Sequence, residues 1–256
     1  MREGGSSLAR LKAIFESVVF ARHIFGMENL DECVRSRRCL GVTRSTDPKN
    51  TKQAPPLLVV HVKALHYILA EDPDPWNRAF CGMALFCIYA GGRWNDVQHC
   101  QSRQWDTDYS GVVRFVECST ATHKTCRSLS LKHSFLPLAA PASGVGAGNW
   151  AIEWKQVRAL LEMDDLGRFP MLPAPDDDGK PTVSSSEAGN WLKMSLNQHS
   201  MVHGVPESLE YTSHSFKATS FSYLKKMGCS FDNRMALGYH ADSIRMALRY
   251  SRDGAL

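Results

Sequence analysis

PWNRAFCGMALFCIYAGGRWNDV, residues 75–97, is apolar on almost every side from Phe80 to Ala90. A helix with that pattern has to be buried, because no polar stripe is left to face water. Asp72, Pro73, Asp74 and Pro75 break the chain ahead of it, and Gly91 and Gly92 end it, so a new segment starts at Arg93. The apolar run is about 14 residues, short of the roughly 20 a membrane span needs. The sequence therefore predicts a core helix over Pro75–Ala90 with a guanidinium set just beyond its end.

Upstream, Val59–Ala70 (VVHVKALHYILA) has helical spacing, as does Leu8–Phe25, and Asn29–Arg38 reads as a short helix. GVTRSTDPKNTKQAPP then reads as a linker. This divides the chain into a partial N-terminal helical region with its linker, 1–54, and a main domain, 55–256. Arg35, Arg37, Arg38, Arg44, Lys49 and Lys52 gather around the linker, either as a solubilising run or as phosphate contacts.

Downstream of Arg93 the pattern changes to period two. Val112–Cys118 and Arg127–Lys132 read as strands joined through STATHKT, with Gln104–Asp106 as a first strand and Leu136–Leu138 ending the sheet. PASGVGAG is a loop, Trp150–Glu162 a helix and Pro170–Ser186 a polar loop. Helices follow over Glu187–His199, Ser213–Met227, Ser230–Leu237 and Asp242–Tyr250. The fold class is mainly α with a small antiparallel β-sheet.

The chain has 256 residues, 43% of them hydrophobic, and a net charge of +4, so affinity for nucleic acid has to come from local clustering of cations. Eight cysteines without a CxxC pair, and no signal-peptide pattern, read as reduced thiols in an intracellular protein. His199 and His203 in HSMVH lack an HExxH motif. The DPDP and Asp176–Asp178 runs lack EF-hand spacing, and GVGAG lacks a phosphate-loop context. None of the three reads as a ligand site, and no metal or cofactor is expected.

What does read as a site is TSHSFKATSFSYLKKMG, residues 212–228. His214 and Lys217 are three apart and share a helix face, with Ser213 placed to cap and Phe216, Phe221 and Leu224 placed to turn inward. His240 follows a glycine turn in LGYHADS, and Tyr250 lies in RYSRD. Imidazoles and an ammonium together suit an anion. A phenol alone is inert near neutral pH, its pKa being about 10, but among cations it can attack phosphorus.

Five blocks stand in order: GGRWNDV, HKT in a hairpin, SHSFKATSFSYLKKMG, LGYH and ALRYSRD. In that order the chain resembles the catalytic domain of the tyrosine recombinases, the DNA breaking-rejoining enzymes, in the form carried by eukaryotic mobile elements. The resemblance covers roughly Pro55–Asp253, and the preceding helices resemble the end of the family's core-binding domain. It implies a catalytic set of Arg93, Lys124, His214, Lys217, His240 and Tyr250, with Asp96 as the acidic neighbour that orients basic groups. Arg93 would clamp a phosphate, Lys124 would protonate the leaving 5′ oxygen, and Tyr250 would be the nucleophile. Lys132 rivals Lys124, and Tyr239 rivals Tyr250.

Lys217 stands where the family usually has a second arginine, so the charge is kept and the two-pronged fork is lost. The resemblance further implies double-stranded DNA as partner, a homo-oligomer, a tetramer, on that DNA, no membrane and a nuclear location. Two related readings compete: a relative that binds DNA without cutting it, and a type IB topoisomerase. Lys217 favours the first, as does a chain that ends six residues after Tyr250. A helical protein with no nucleic-acid partner is the fourth reading.

Overall fold

The computed structural model describes residues 8–43, 54–100, 102–120, 136–163, 170–175, 182–203 and 210–237. The chain divides into two compact units, Met1–Gln53 and Ala54–Leu256.

The first unit holds α1 (Leu8–Ile24), a 3-10 turn (Glu28–Leu30), α2 (Asp31–Arg35) and α3 (Arg37–Thr43). The single helix expected over 29–38 is thus interrupted, and helix continues through Gly41, which the sequence pattern placed in the linker. Ser36 explains the break. Its backbone is extended at φ −64°, ψ 121°, while its Oγ accepts from Cys39 N and its carbonyl from Leu40 N. A serine in that conformation closes one helix and caps the next. Asp31 accepts from Arg22 on α1 and pairs with Arg35, which ties the pieces together.

The second unit contains α4 (Val59–Glu71), α5 (Pro75–Tyr89), α6 (Trp94–Gln98), β1 (Ser102–Thr107), β2 (Val113–Thr120), β3 (Leu136–Pro141), α7 (Trp150–Leu160), α8 (Ser185–His203), α9 (His214–Lys226) and α10 (Phe231–Leu237). This is a mainly helical domain with a small antiparallel sheet, as the sequence pattern predicts. α5 is its centre. Asp74 Oδ1 accepts from Trp76 N at its start and Pro75 occupies the first turn, where a missing N–H costs nothing. Every residue from Ala79 to Ile88 is buried. α4 packs against it with Val62, Leu65, Ile68 and Leu69, and α7 brings Trp150, Trp154 and Val157 to the same core.

The sheet has the order β1-β2-β3, antiparallel throughout. Trp105 lies opposite Val116, and Val116 opposite Ala140. Leu136–Leu138 ends the sheet as expected, although the strand runs on to Pro141. It pairs with β2 from Thr120 back to Phe115. The prolines hid its full length, since proline suits only edge positions whose ladder hydrogen bond is not needed, and β3 is an edge strand. The strand expected over 127–132 lies outside the described residues. Among the described helices none is long and apolar enough to cross a membrane. Burial pushes the thiols of Cys81, Cys87 and Cys118 well up, so they fill the core and do not act as nucleophiles.

The loop after β3 closes over a polar pair, buried His66 and half-buried Tyr89. Val145 N donates to Tyr89 Oη at 3.0 Å, and that hydroxyl lies 2.8 Å from His66 Nε2. Burial holds His66 down at about 4 and lifts Tyr89 to about 12. The sign follows directly: unfolded histidine takes its proton near pH 6.5, and folded His66 only near 4. The stability this neutral group contributes is therefore complete above 6.5 and is lost as pH falls to 4. Urea denaturation at pH 7, 5.5 and 4 is expected to show a smaller fall over that window for His66→Gln than for wild type. Parallel falls would contradict it.

Candidate functional site

Arg93 owes its place to the way α5 ends. Gly92 N donates to Cys87 O at 3.0 Å and Gly91 N to Ile88 O at 3.4 Å, with Gly91 at φ +63°. This left-handed glycine closure satisfies the last carbonyls and turns the chain sharply. A side-chain carbon on Gly91 would stand 3.3 Å from Ser220 Oγ and 3.4 Å from the Leu237 carbonyl oxygen, so α9 and the end of α10 both crowd this turn. Arg93 then adopts an extended backbone at the N-cap of α6. Its neighbour Trp94 is buried and donates from Nε1 to Val183 O, which leaves the guanidinium toward the surface, 23% exposed.

Asp96 lies one turn on, and its Oδ2 is 3.3 Å from Arg93 Nη1. The carboxylate side chain is 6% exposed. It occupies one side of the guanidinium and orients it. The paired donors on the other edge are of the kind that bind a tetrahedral anion.

α9 begins differently from the expectation. Ser213 sits at the N-cap with helical φ and ψ, and its side chain makes no capping hydrogen bond. Instead Thr212 Oγ1 accepts from His214 N, and Ser215 Oγ accepts from Thr212 N. The Thr212 hydroxyl thus serves the first amide of the helix, and the Ser215 hydroxyl serves the chain just ahead of it. The face of α9 turned to the core is Ser215, Phe216, Thr219 and Ser220. His214 is exposed and Lys217 half-buried. Phe221, expected in the core, is only half-buried and lies 5.7 Å below the Lys217 ammonium, which it faces with its ring. Leu224 is likewise half-buried.

The two segments meet through their neighbours. Trp94, which follows Arg93, and Phe216, which precedes Lys217, have ring centroids 5.9 Å apart. Together with the contact of Gly91 on Ser220, this seats the turn that presents Arg93 against the helix that presents His214 and Lys217. Lys124, its rival Lys132, His240, Tyr239 and Tyr250 lie outside the described residues. The described chain runs up to their segments, however. Thr120, fully buried at the end of β2, donates from Oγ1 to His99 O just past α6. Leu237, three residues before His240, reaches Gly91 as described.

Sequence reasoning missed the residues beneath this surface. Tyr211, Ser215 and Thr219 are buried, and each hydroxyl is within hydrogen-bond distance of another residue. Ser215 and Thr219 are four apart on α9, while Tyr211 precedes the helix and no spacing in the sequence marks it. Tyr223 is the phenol on α9 itself, but its hydroxyl is buried without a partner among the described residues and burial pushes it up. It does not suit attack on a phosphate.

No family model matches the chain, and no curated protein matches it. Among solved structures it is similar to the Tn1549 transposon integrase in complex with circular intermediate DNA, at 12% identity and TM-score 0.47, over 96% of this chain and 81% of that one. It is also similar to the Flpe–Holliday junction complex, at 10% identity and TM-score 0.44, over 94% of this chain and 54% of that one.

Proposed function

We propose that this chain is a site-specific recombinase or integrase, which cuts and rejoins double-stranded DNA through a 3′-phosphotyrosyl intermediate. The observation that carries the reading is the seating of the Arg93 turn on the His214–Lys217 helix. Residues more than a hundred positions apart, picked out by the order of their motifs, belong to segments in contact.

In this reading the Tyr250 oxygen attacks the scissile phosphorus as the bond from phosphorus to the 5′ oxygen breaks. His214 takes the phenolic proton, and Lys124 gives one to the departing 5′ oxygen. Arg93, His214, Lys217 and His240 offset the charge that builds on the non-bridging oxygens. A 5′ hydroxyl from another strand reverses the step, so the bond energy is conserved without hydrolysis. Copies of the chain assemble on DNA as a homo-oligomer, a tetramer, and the site of action is the nucleus. Lys217 supplies charge without a fork, so it clamps less rigidly than an arginine.

A nicked duplex that loses its short 5′-hydroxyl fragment traps the intermediate. Wild type is expected to give a denaturation-resistant protein–DNA adduct, and Tyr250→Phe to give none while still shifting the duplex in a salt-dependent manner. Salt-sensitive binding with no adduct from wild type favours the non-cutting relative. Relaxation of supercoils by the single chain favours the topoisomerase.

A further inference from the structure

Two links join the start of the second unit to the segment that carries His214 and Lys217. In the first, Leu57 N donates to Thr219 Oγ1 at 2.8 Å and that hydroxyl donates to Ser215 O at 2.7 Å. Both its accepting and its donating capacity are used, and Leu57 and Thr219 are 2% and 0% exposed. In the second, Leu58 N donates to His61 Nδ1 at 3.3 Å, which makes that nitrogen an acceptor. The Tyr211 hydroxyl lies 3.1 Å from the same nitrogen and shares its one lone pair with Leu58 N, and the two rings stand 5.0 Å apart edge to face.

The positions interleave. Ser215 and Thr219 lie on the buried face of α9 and Tyr211 is buried just ahead of it, while His214 and Lys217 lie between these residues in sequence and are less buried. A displacement of residues 57–58 therefore moves the segment on which the two cations sit. Those residues lie only a few positions past the boundary at Gln53.

We infer that Thr219 and Tyr211 are positioning residues: they lock α9 to the backbone at Leu57–His61, and so set the alignment of His214 and Lys217 from the point where the chain leaves its first unit. The consequence for cutting rests on the function proposed above, but the lock has a readout of its own. Thr219→Val keeps the shape and removes the hydroxyl, Thr219→Ser keeps the hydroxyl, and Tyr211→Phe removes only the second link.

The full-length variants are compared in two ways. At saturating nicked duplex, Thr219→Val is expected to form the adduct about 10–100-fold more slowly, as misplacement of reacting groups by a fraction of an ångström does. Its Kd for duplex should stay within about twofold of wild type, and Thr219→Ser should restore the rate to within about twofold. Tyr211→Phe should shift the rate in the same direction by a smaller factor. In hydrogen exchange, the amides of residues 214–219 should open about tenfold faster in Thr219→Val, and those of α7 should not change.

Wild-type rates and exchange in Thr219→Val would overturn the inference. So would equal acceleration in α7, which would make the hydroxyl an ordinary core bond, or a Thr219→Ser variant as slow as the valine. If wild type forms no adduct, the strand-cutting reading fails and exchange alone decides the lock: faster opening confined to 214–219 upholds it, and unchanged opening overturns it.

Discussion

Arg93→Ala is expected to slow formation of the covalent complex by about 10²–10³-fold, the usual cost of removing one donor from a preorganised anion site. The geometry says why the loss should appear in rate and not in folding. Arg93 follows a turn whose shape is set by Gly91 and Gly92, and Trp94 and Val97 carry the packing beside it. The guanidinium itself is partly exposed and pairs with Asp96. Alanine leaves the Asp96 carboxylate without that partner at 6% exposure, so a modest loss of stability accompanies the change. Arg93→Lys keeps the charge and loses the fork, and its rate should fall between the two. Single-turnover trapping on the nicked duplex measures all three. An alanine variant within a few-fold of wild type would remove Arg93 from the site.

The second large effect is on stability. Gly82 sits in the middle of α5, where alanine normally helps a helix by roughly 1 kcal/mol. Here a Cβ would stand 2.0 Å from Trp154 Cδ1 and 2.3 Å from its Cγ. That indole cannot move aside. Phe86, Trp150 and Trp105 surround it at ring distances of 5.7–5.9 Å, and the Arg158 guanidinium lies over it at 5.5 Å. Arg158 is fixed in turn, donating to Met171 O at 2.7 Å. Overpacking of this kind costs about 1–3 kcal/mol, which outweighs the gain in helix propensity. Gly82→Ala should therefore lower the urea midpoint at unchanged slope. A midpoint equal to or above wild type would show that α5 and α7 separate easily.

How much of this was legible in the sequence differs from place to place. α5 and its glycine end were, because an apolar run between DPDP and GG admits few alternatives. The start of α8 was misplaced at Glu187 although SSSE spells the signal: Ser184 Oγ accepts from Glu187 N while Glu187 Oε2 accepts from Ser184 N. β3 was read short because LPLAAP lacks β-branched residues, and its place came from pairing with β2, a tertiary effect. Nothing in AFCGMALF tells that Gly82 faces a tryptophan more than seventy residues away.

For the site, motif order singled out Arg93, Asp96, His214 and Lys217, and the turn and helix that hold them are in contact. The supporting hydroxyls were not legible. A threonine in KATS looks like any polar helix residue until Leu57, 162 positions earlier, is found donating to it. Ser213 shows the converse. It is a good capping residue by type, yet Thr212 takes over the work because the chain enters the helix already in helical conformation.

The central claim is that a phenol delivered to the Arg93 and α9 surface becomes bonded to DNA. Proteolysis of the trapped adduct, followed by mass spectrometry of the nucleotide-bearing peptide, reads this directly. The account predicts one modified residue, Tyr250, joined to a 3′ phosphate. A 3′ phosphate on Tyr239 or any other side chain, or a peptide map with no nucleotide attached, would contradict it.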